Sequence, residues 1–182
     1  MSGVNRDTSP AELAALVSQT LGEAGISAIL SGGGAVVLYT ENEYESSDLD
    51  FITSERTDAI AAALEPLGFE RTPGARQFEH PQTDYYVEFP PGPLAFGETV
   101  LGEDAATLFQ TEYGPVRIIT PTQCIMDRLA AYVHWNDNQS FVQAIMVIRR
   151  QDIQWHELIA WARREGIEPG VIERLRRRAE GE

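Results

Sequence analysis

Apolar positions along the chain recur at two different spacings, and each spacing predicts one kind of secondary structure. In residues 13–21 they recur every three or four positions, as on one face of an α-helix, and Ser9 and Pro10 just before them are typical of a helix start. In residues 48–52 acidic and apolar residues alternate, which is the period of a strand with one buried face. The N-terminal part of the chain therefore combines helices with strands.

The same two periods, with Gly and Pro as breaks, predict a mixed order of elements that is followed by helices alone. The expected segments after the first helix are a strand at 28–30, a short helix at 35–38, a strand at 48–52, a helix at 58–65, a hairpin at 69–80, a strand at 84–89, an ordered loop or flap at 90–104, a strand at 116–120, and helices from 121, at 140–150, at 154–165 and from 169. This order predicts an α/β fold, with a small mixed β-sheet flanked by helices and a helical C-terminal part. We expect an α/β core over residues 1–120 and, over residues 121–182, helices that pack on the same core.

The most informative pattern begins at the end of the strand at 28–30. Three glycines at residues 32–34 follow that strand, and Asp48 and Asp50 share one face of the strand at 48–52. Glycine lets a ligand approach the main chain closely. Two carboxylates at this distance repel each other unless a cation lies between them, and their hard oxygens suit Mg²⁺ or Mn²⁺. Either feature alone is more often structural, but together they predict a site for a metal-bound nucleoside triphosphate.

The order Gly33-Gly34, a spacer over residues 35–47 and Asp48-Leu49-Asp50 resembles the signature of the nucleotidyltransferase-fold superfamily. Minimal nucleotidyltransferases and the nucleotidyltransferase-like toxins of bacterial toxin–antitoxin systems are members of similar size. The resemblance is specific over residues 31–52, suggestive as far as residue 90 and weak after that. It implies a mixed sheet of nucleotidyltransferase type, in which Asp48 and Asp50 are catalytic and bind metal.

The resemblance also implies a third carboxylate, on a strand next to the one that carries Asp48 and Asp50. Glu88, near the end of the predicted strand at 84–89, is the candidate for this catalytic and metal-binding role, and Asp84 is the alternative. Together the three carboxylates would hold one or two Mg²⁺ or Mn²⁺ ions. A strand acid exposed to solvent, without a function, is the competing interpretation of Glu88.

The phosphates of a nucleoside triphosphate need hydrogen-bond donors, and the chain offers few cationic ones. The resemblance assigns this nucleotide-binding role to the amides of Gly33 and Gly34 and to the Ser31 hydroxyl. Because the sequence contains no lysine, a cationic contact must be an arginine. Arg56 follows the strand at 48–52, and Arg128 stands where resembling families usually place a lysine. Each is also consistent with an ordinary solvated arginine.

The charge of the chain narrows the class of partner. Among 182 residues, 28 acids oppose 14 bases, so the formal net charge is −14. Such a charge opposes binding to a nucleic-acid backbone. Apolar runs are too short to span a bilayer and residues 1–10 carry no signal-peptide core, so we expect a cytoplasmic protein that binds no membrane. The single cysteine, Cys124, excludes an intrachain disulfide, and we expect it to be buried.

Three functions remain open on the sequence. The first is a metal-dependent nucleotidyltransferase that moves a nucleoside monophosphate to an acceptor hydroxyl, with a protein side chain or a small molecule such as an aminoglycoside favoured over nucleic acid. The second is a catalytically weak or inactive nucleotidyltransferase-like protein that acts as a toxin–antitoxin component or a protein-binding module. Residues 134–137, which replace a later arginine implied by the resemblance, favour this second hypothesis. The third is a plain α/β domain whose glycine turn is structural.

Overall fold

The computed structural model describes residues 3–181. Over that range α-helices and strands alternate as far as residue 64, a run of strands follows up to residue 118, and α-helices alone follow from residue 121. The helices are α1 (Pro10–Glu23), α2 (Gly32–Tyr39), α3 (Thr57–Leu64), α4 (Pro121–Trp135), α5 (Asn138–Arg150), α6 (Trp155–Arg164) and α7 (Pro169–Glu180). The strands are β1 (Ile29–Ser31), β2 (Asp48–Ile52), β3 (Glu70–Arg71), β4 (Gln77–Glu79), β5 (Tyr86–Glu88), β6 (Ala95–Phe96), β7 (Thr99–Val100), β8 (Thr107–Thr111) and β9 (Gly114–Ile118).

Seven strands form one mixed sheet among the described residues, in the order β3-β4-β5-β2-β1-β9-β8. Strand β1 lies antiparallel to β2 and parallel to β9, and β2 lies parallel to β5. The central β2 is thus flanked by β1, which leads into the glycine turn, and by β5, which ends in Glu88. The predicted α/β fold, with a mixed sheet flanked by helices and a helical C-terminal part, is confirmed.

Helix α2 lies in the centre of the molecule. All of its residues except Gly33 are buried, and it contacts α1, α4, α5, β1 and β2. Its apolar residues Val36, Val37 and Leu38 lie on more than one face of the helix, and packing against its neighbours buries all three side chains. The C-terminal helices α4 and α5 thereby touch the same core as the sheet. The division between residues 120 and 121 stays a prediction.

Two parts of the sheet region differ from the prediction. Residues 90–104, expected as an ordered loop or flap, contain the β6–β7 hairpin, and strand β8 was not predicted. The residues of β8 are exposed or half-buried, so no alternation of apolar and polar residues marks them in the sequence. Cys124 is buried, as expected. Within residues 3–181, no helix combines the length and the apolar character that crossing a bilayer requires.

Candidate active site

Three carboxylates meet where β2 and β5 run side by side. The parallel register sets Asp50 opposite Glu88, and Asp48 lies two residues before Asp50, so the three side chains leave the same face of the sheet. One oxygen from each of the three lies within 4.8 Å of the other two. Leu49 and Phe51 on the opposite face are buried in the core, which sets the register of β2. The structure thus brings together the three acids that the sequence pattern singled out.

Burial and mutual repulsion disfavour three charged carboxylates at this place. Desolvation, and after it the like charges of Asp48 and Glu88, raise the pKa of Asp50 to about 7. The Ser46 hydroxyl donates a hydrogen bond to Asp48 and so orients that carboxylate. Three carboxylate oxygens at this separation are the ligands that Mg²⁺ and Mn²⁺ prefer. The donor set therefore fits a divalent cation, which would offset the repulsion that a proton on Asp50 otherwise relieves.

The start of α2 lies directly against the carboxylates. Gly32 has a φ of 61°, and a Cβ built on it would collide with Oδ2 of Asp50. Both the backbone conformation and the contact therefore require glycine here. A Cβ on Gly33 would lie 2.9 Å from Oγ of Ser46, the hydroxyl that binds Asp48. The glycines beside the carboxylates are thus Gly32 and Gly33.

Gly34, by contrast, is in contact with the hydrophobic core. A Cβ at this position would lie 2.9 Å from Cδ2 of Leu49 and 3.0 Å from Cδ1 of Leu30. The absent side chain of Gly34 thus lets α2 pack closely on the sheet. The pair next to the acids is therefore one residue earlier than the Gly33-Gly34 pair used in the sequence pattern. The predicted contact between phosphate and the Gly34 amide stays untested.

Arg128 lies near the carboxylates and is held by two neighbours. Its positive charge acts to lower the pKa of Asp50, against the burial and like charges that raise it. Its Nη2 and Nε donate to Oδ2 of Asp127 at 2.6 and 3.2 Å, and its Nη1 donates to Oε1 of Gln143 on α5 at 3.1 Å. The side chain is 15% exposed. Because each terminal nitrogen carries two N–H groups, donors remain on both for a ligand.

Two other predicted residues lie elsewhere. Arg56 follows the end of β2 that is opposite to Asp48, its side chain is 84% exposed, and it pairs with Asp58 at 3.8 Å. Its role in phosphate binding stays a prediction, and it is not grouped with the acids. Asp84, the alternative third carboxylate, is exposed and precedes β5. Glu88 is therefore the acid that completes the cluster.

Several residues of the site were not singled out in the sequence. Ser46, Asp127 and Gln143 are three of them: Asp127 directly precedes Arg128 in the sequence, and Ser46 lies two residues before Asp48. Gln143 has no such signal, because it comes from a separate helix. Two tyrosines also border the site: burial raises the pKa of Tyr44 and of Tyr86, and the charge of Asp48 adds to the rise in both.

A cleft of about 600 Å³ adjoins the site, between α4 and the β6–β7 hairpin. Asp127 and Arg128 line the end of the cleft that is nearer the carboxylates. Trp135, which is 82% exposed, lines the other end. Trp135 lies seven positions after Arg128 on α4, which corresponds to a rise of about 10 Å. That length is comparable to a ring-containing small molecule.

Comparison of the sequence with protein-family models and with curated proteins gives no match. The structure is similar to that of an antigenic nucleotidyltransferase-like protein from Paracoccidioides brasiliensis, at a TM-score of 0.57 and 15% identity over 79% of this chain and 77% of that chain. It is also similar to the lincosamide antibiotic adenylyltransferase LnuA, solved with lincomycin bound, at a TM-score of 0.55 and 15% identity over 81% of this chain and 100% of that chain. The resemblance found in the sequence is thereby confirmed at the level of the fold: this chain has the nucleotidyltransferase fold.

Proposed function

We propose that this protein is a metal-dependent nucleotidyltransferase, which transfers a nucleoside monophosphate from a nucleoside triphosphate to an acceptor hydroxyl. The main support is that the oxygens of Asp48, Asp50 and Glu88 cluster directly beside the glycine start of α2. Carboxylates repel a triphosphate, which is also an anion, unless divalent cations lie between them. Acids that face a helix start therefore favour a metal-bridged nucleotide over a metal-free one.

The metal ligands in this proposal are Asp48, Asp50 and Glu88. Their fit to Mg²⁺ or Mn²⁺ rests on the oxygen donor set and on the raised pKa of Asp50, which reflects negative charge in excess of what the buried site tolerates. When bound, such ions neutralise phosphate charge and stabilise the attacking and leaving oxygens of an in-line displacement.

The phosphate contacts in this proposal come from the start of α2 and from Arg128. Ser31 precedes α2, and its side chain makes no capping hydrogen bond to the helix over the described residues. The amides of Gly32, Gly33 and Gly34 can therefore donate to a phosphate, with the positive end of the helix dipole behind them. The Ser31 hydroxyl donates to the backbone carbonyl of Asp50 at 3.4 Å, a long hydrogen bond that it would exchange for one to a phosphate. Arg128 adds a charge-assisted donor from the other side of the site. Arg56 is the weakest candidate because of its position.

The order of strands suits an in-line reaction. Ser31 and Gly32 lie on the β1 side of Asp50, and Glu88 lies on its β5 side. In the proposed step the acceptor oxygen bonds to the α-phosphorus while the bond to pyrophosphate breaks. Glu88 accepts the proton of the acceptor hydroxyl. The leaving group and the proton acceptor are then on opposite sides of the reacting phosphorus, as in-line displacement requires.

The acceptor in this proposal is a small molecule or a protein side chain. One structural neighbour is an adenylyltransferase with the antibiotic lincomycin bound, and the cleft beside Arg128 has a volume typical of small-molecule sites. The net charge of −14 disfavours a nucleic acid. The cleft is therefore the expected acceptor site.

A second candidate is a catalytically weak or inactive protein that acts as a toxin–antitoxin component or a protein-binding module. The observation that favours it is the engagement of Arg128 by Asp127 and Gln143, which leaves this buried cation partly neutralised before any phosphate arrives. In this case the site would bind nucleotide weakly, and the protein would act by binding a protein partner.

Calorimetry and thermal shift measure nucleotide binding in the presence of Mg²⁺ or Mn²⁺, with each of the four ribonucleoside triphosphates in turn. We expect metal-dependent binding that Asp48→Asn with Asp50→Asn abolishes. Asp84→Asn, which changes an exposed acid outside the cluster, is the matched control and should bind as the parent does. Equal binding by the parent and the double variant would reject the site. A folded parent that binds no nucleotide would favour the second candidate.

A further inference from the structure

A second hollow lies between α6 and α7, lined by a different set of residues from the cleft beside Arg128. Its volume is about 340 Å³. Ala162, Ile167 and Ile172, all buried, contribute apolar surface to it, and Ile159 and Pro169 line it as well. An apolar hollow of this size is within the range of small-molecule pockets, about 300–1,000 Å³, at its lower end.

The remaining lining residues are mostly cationic. Arg163 from α6 and Arg176 and Arg177 from α7 converge on the hollow, against a single acid, Glu173. The guanidinium carbon of Arg176 lies 4.5 Å from the centroid of the Trp155 ring, and this stacking limits the positions that Arg176 can take. The hollow thus combines an apolar interior with a cationic rim.

The three rim arginines are exposed, and like several other arginines of the chain they are not paired with an acid in the part that the structure describes. Arg56, Arg71, Arg128 and Arg150 each form an ion pair with an Asp or Glu. Among the side chains that the structure describes, no carboxylate lies within 4.0 Å of the guanidinium of Arg163, Arg176 or Arg177. What distinguishes Arg163, Arg176 and Arg177 is that all three line one apolar hollow, so a small anion that carries an apolar part could contact both the charges and the apolar surface.

The net charge indicates what size of anion fits. A polyanion such as a nucleic acid would meet the acidic remainder of a protein with a net charge of −14. A small anion feels mainly the nearby guanidiniums, because salt screens exposed charges beyond about 10 Å. Local cationic charge on an acidic protein therefore selects a small ligand over a large one.

We propose that the hollow between α6 and α7 binds a small organic anion, whose carboxylate or phosphate head contacts Arg163, Arg176 and Arg177 and whose apolar body contacts Ala162, Ile167 and Ile172. Carboxylate and phosphate share the chemistry that the rim recognises, since a guanidinium can donate two parallel hydrogen bonds to either. The apolar body distinguishes this ligand from free inorganic anions.

Calorimetry on the full chain with simple amphiphiles tests the proposal. Octanoate and octyl phosphate are the two anionic probes, octanol is the neutral control, and acetate and inorganic phosphate are the head groups alone. We expect at least one anionic probe to bind about tenfold or more tightly than octanol and than its own head group, because both parts of the hollow contribute. The stronger of the two probes identifies the head. If octanol binds as well as both anions, or if no probe binds, the proposal is wrong.

Variants locate the binding. Arg163→Gln with Arg177→Gln removes two exposed rim charges, and Arg164→Gln is the matched control, since Arg164 is an exposed neighbour on α6 outside the hollow. The double variant should lose about tenfold in affinity and the control less than about twofold. Unchanged affinity in the double variant would overturn the proposal. So would loss of binding in Asp48→Asn with Asp50→Asn, because the probe would then occupy the candidate active site.

Discussion

Oδ2 of Asp50 occupies the space that a β-carbon on Gly32 would need. The two residues are brought together by the antiparallel pairing of β1 and β2, in which Ser31 lies opposite Asp50. The start of α2 and the carboxylate cluster are therefore built as one unit. A change at the glycine must affect the acid, and this coupling can be measured.

Gly32→Ala should lose stability and ligand binding together. Alanine at a φ of 61° costs about 1–2 kcal/mol, and its Cβ must also displace the Asp50 carboxylate. Urea denaturation measures the stability, and calorimetry with Mn²⁺ and nucleoside triphosphate measures binding.

Gly74→Ala is the matched control for that experiment. Gly74 has a φ of 77°, but nothing lies within 4 Å of a Cβ built there. It should show only the loss of stability that comes from the backbone conformation, about 1–2 kcal/mol, without a loss of binding. If Gly32→Ala binds nucleotide as tightly as Gly74→Ala does, the glycine turn is structural alone.

Asp50→Asn should stabilise the metal-free protein above about pH 7. The pKa of Asp50 is raised from 3.8 to about 7 on folding, so the folded state binds the proton more tightly than the unfolded state does. Protonated Asp50 therefore contributes to the free energy of unfolding at low pH. This contribution, at most about 4 kcal/mol, is lost as the pH rises from about 4 to about 7. Asparagine at this position does not ionise, so this loss is absent from the variant.

The measurement is the free energy of unfolding against pH in the presence of a chelator. The difference between Asp50→Asn and the parent should be small near pH 4 and grow toward pH 8. Adding Mn²⁺ at pH 8 should raise the melting temperature of the parent and leave that of the variant nearly unchanged. If the parent is more stable than the variant at pH 8 without metal, then burial and repulsion do not destabilise the charged form of Asp50 as described.

Gln143→Leu should weaken nucleotide binding through Arg128. The substitution removes the oxygen that accepts from Nη1 of Arg128, at a position where Gln143 is 3% exposed. Leaving that donor without its partner should cost about 1–3 kcal/mol of stability. Gln143→Glu keeps an acceptor for the guanidinium and should restore the affinity for nucleotide at least in part. If the Leu and Glu variants bind nucleotide equally well, Gln143 does not position Arg128.

Glu165→Ala should free the β6–β7 hairpin that borders the cleft. The Glu165 carboxylate accepts from the Glu98 amide at 2.8 Å and from the Thr99 hydroxyl at 2.5 Å. The hydrogen bond from Thr99 is the main cause that lowers the pKa of Glu165. The stabilisation is therefore present at neutral pH and is lost in acid, as the pH falls below the usual range of a glutamate.

Hydrogen exchange measures this effect directly. Amides in residues 95–100 should exchange faster in Glu165→Ala than in the parent at neutral pH, and the two should approach each other in acid. Glu168→Ala changes an exposed acid at the start of α7 whose side chain makes no capping hydrogen bond, and it should leave exchange in the hairpin unchanged. Equal protection of residues 95–100 in the parent and Glu165→Ala would show that the other contacts of the hairpin hold it without Glu165, among them the hydrogen bond that Trp161 donates to the Phe96 carbonyl at 3.2 Å.

The Asp48–Asp50 pair and most of the elements could be predicted because their signals are local, whereas Glu88 was implied only by the resemblance to a known fold superfamily and joins the pair through the pairing of β2 with β5. Alternation in β2 sets Asp48 and Asp50 on one face whatever the rest of the chain does, and the capping residues Ser9 and Thr120 mark helix starts by their own hydrogen bonds. Strand β8 was missed because it lacks such a local signal: its residues are exposed or half-buried and do not alternate between apolar and polar.

Contacts between distant segments decided the rest. Three consecutive glycines look alike in a sequence, and only the packing of α2 on β2 separates Gly32, which faces Asp50, from Gly34, which faces Leu49. One of the two partners of Arg128, Gln143, comes from another helix, and the arginines of α6 and α7 surround one hollow only because those helices pack together. Which residue type can form a site follows from side-chain chemistry, but which atoms meet there depends on how the elements pack, and local periodicity does not encode that.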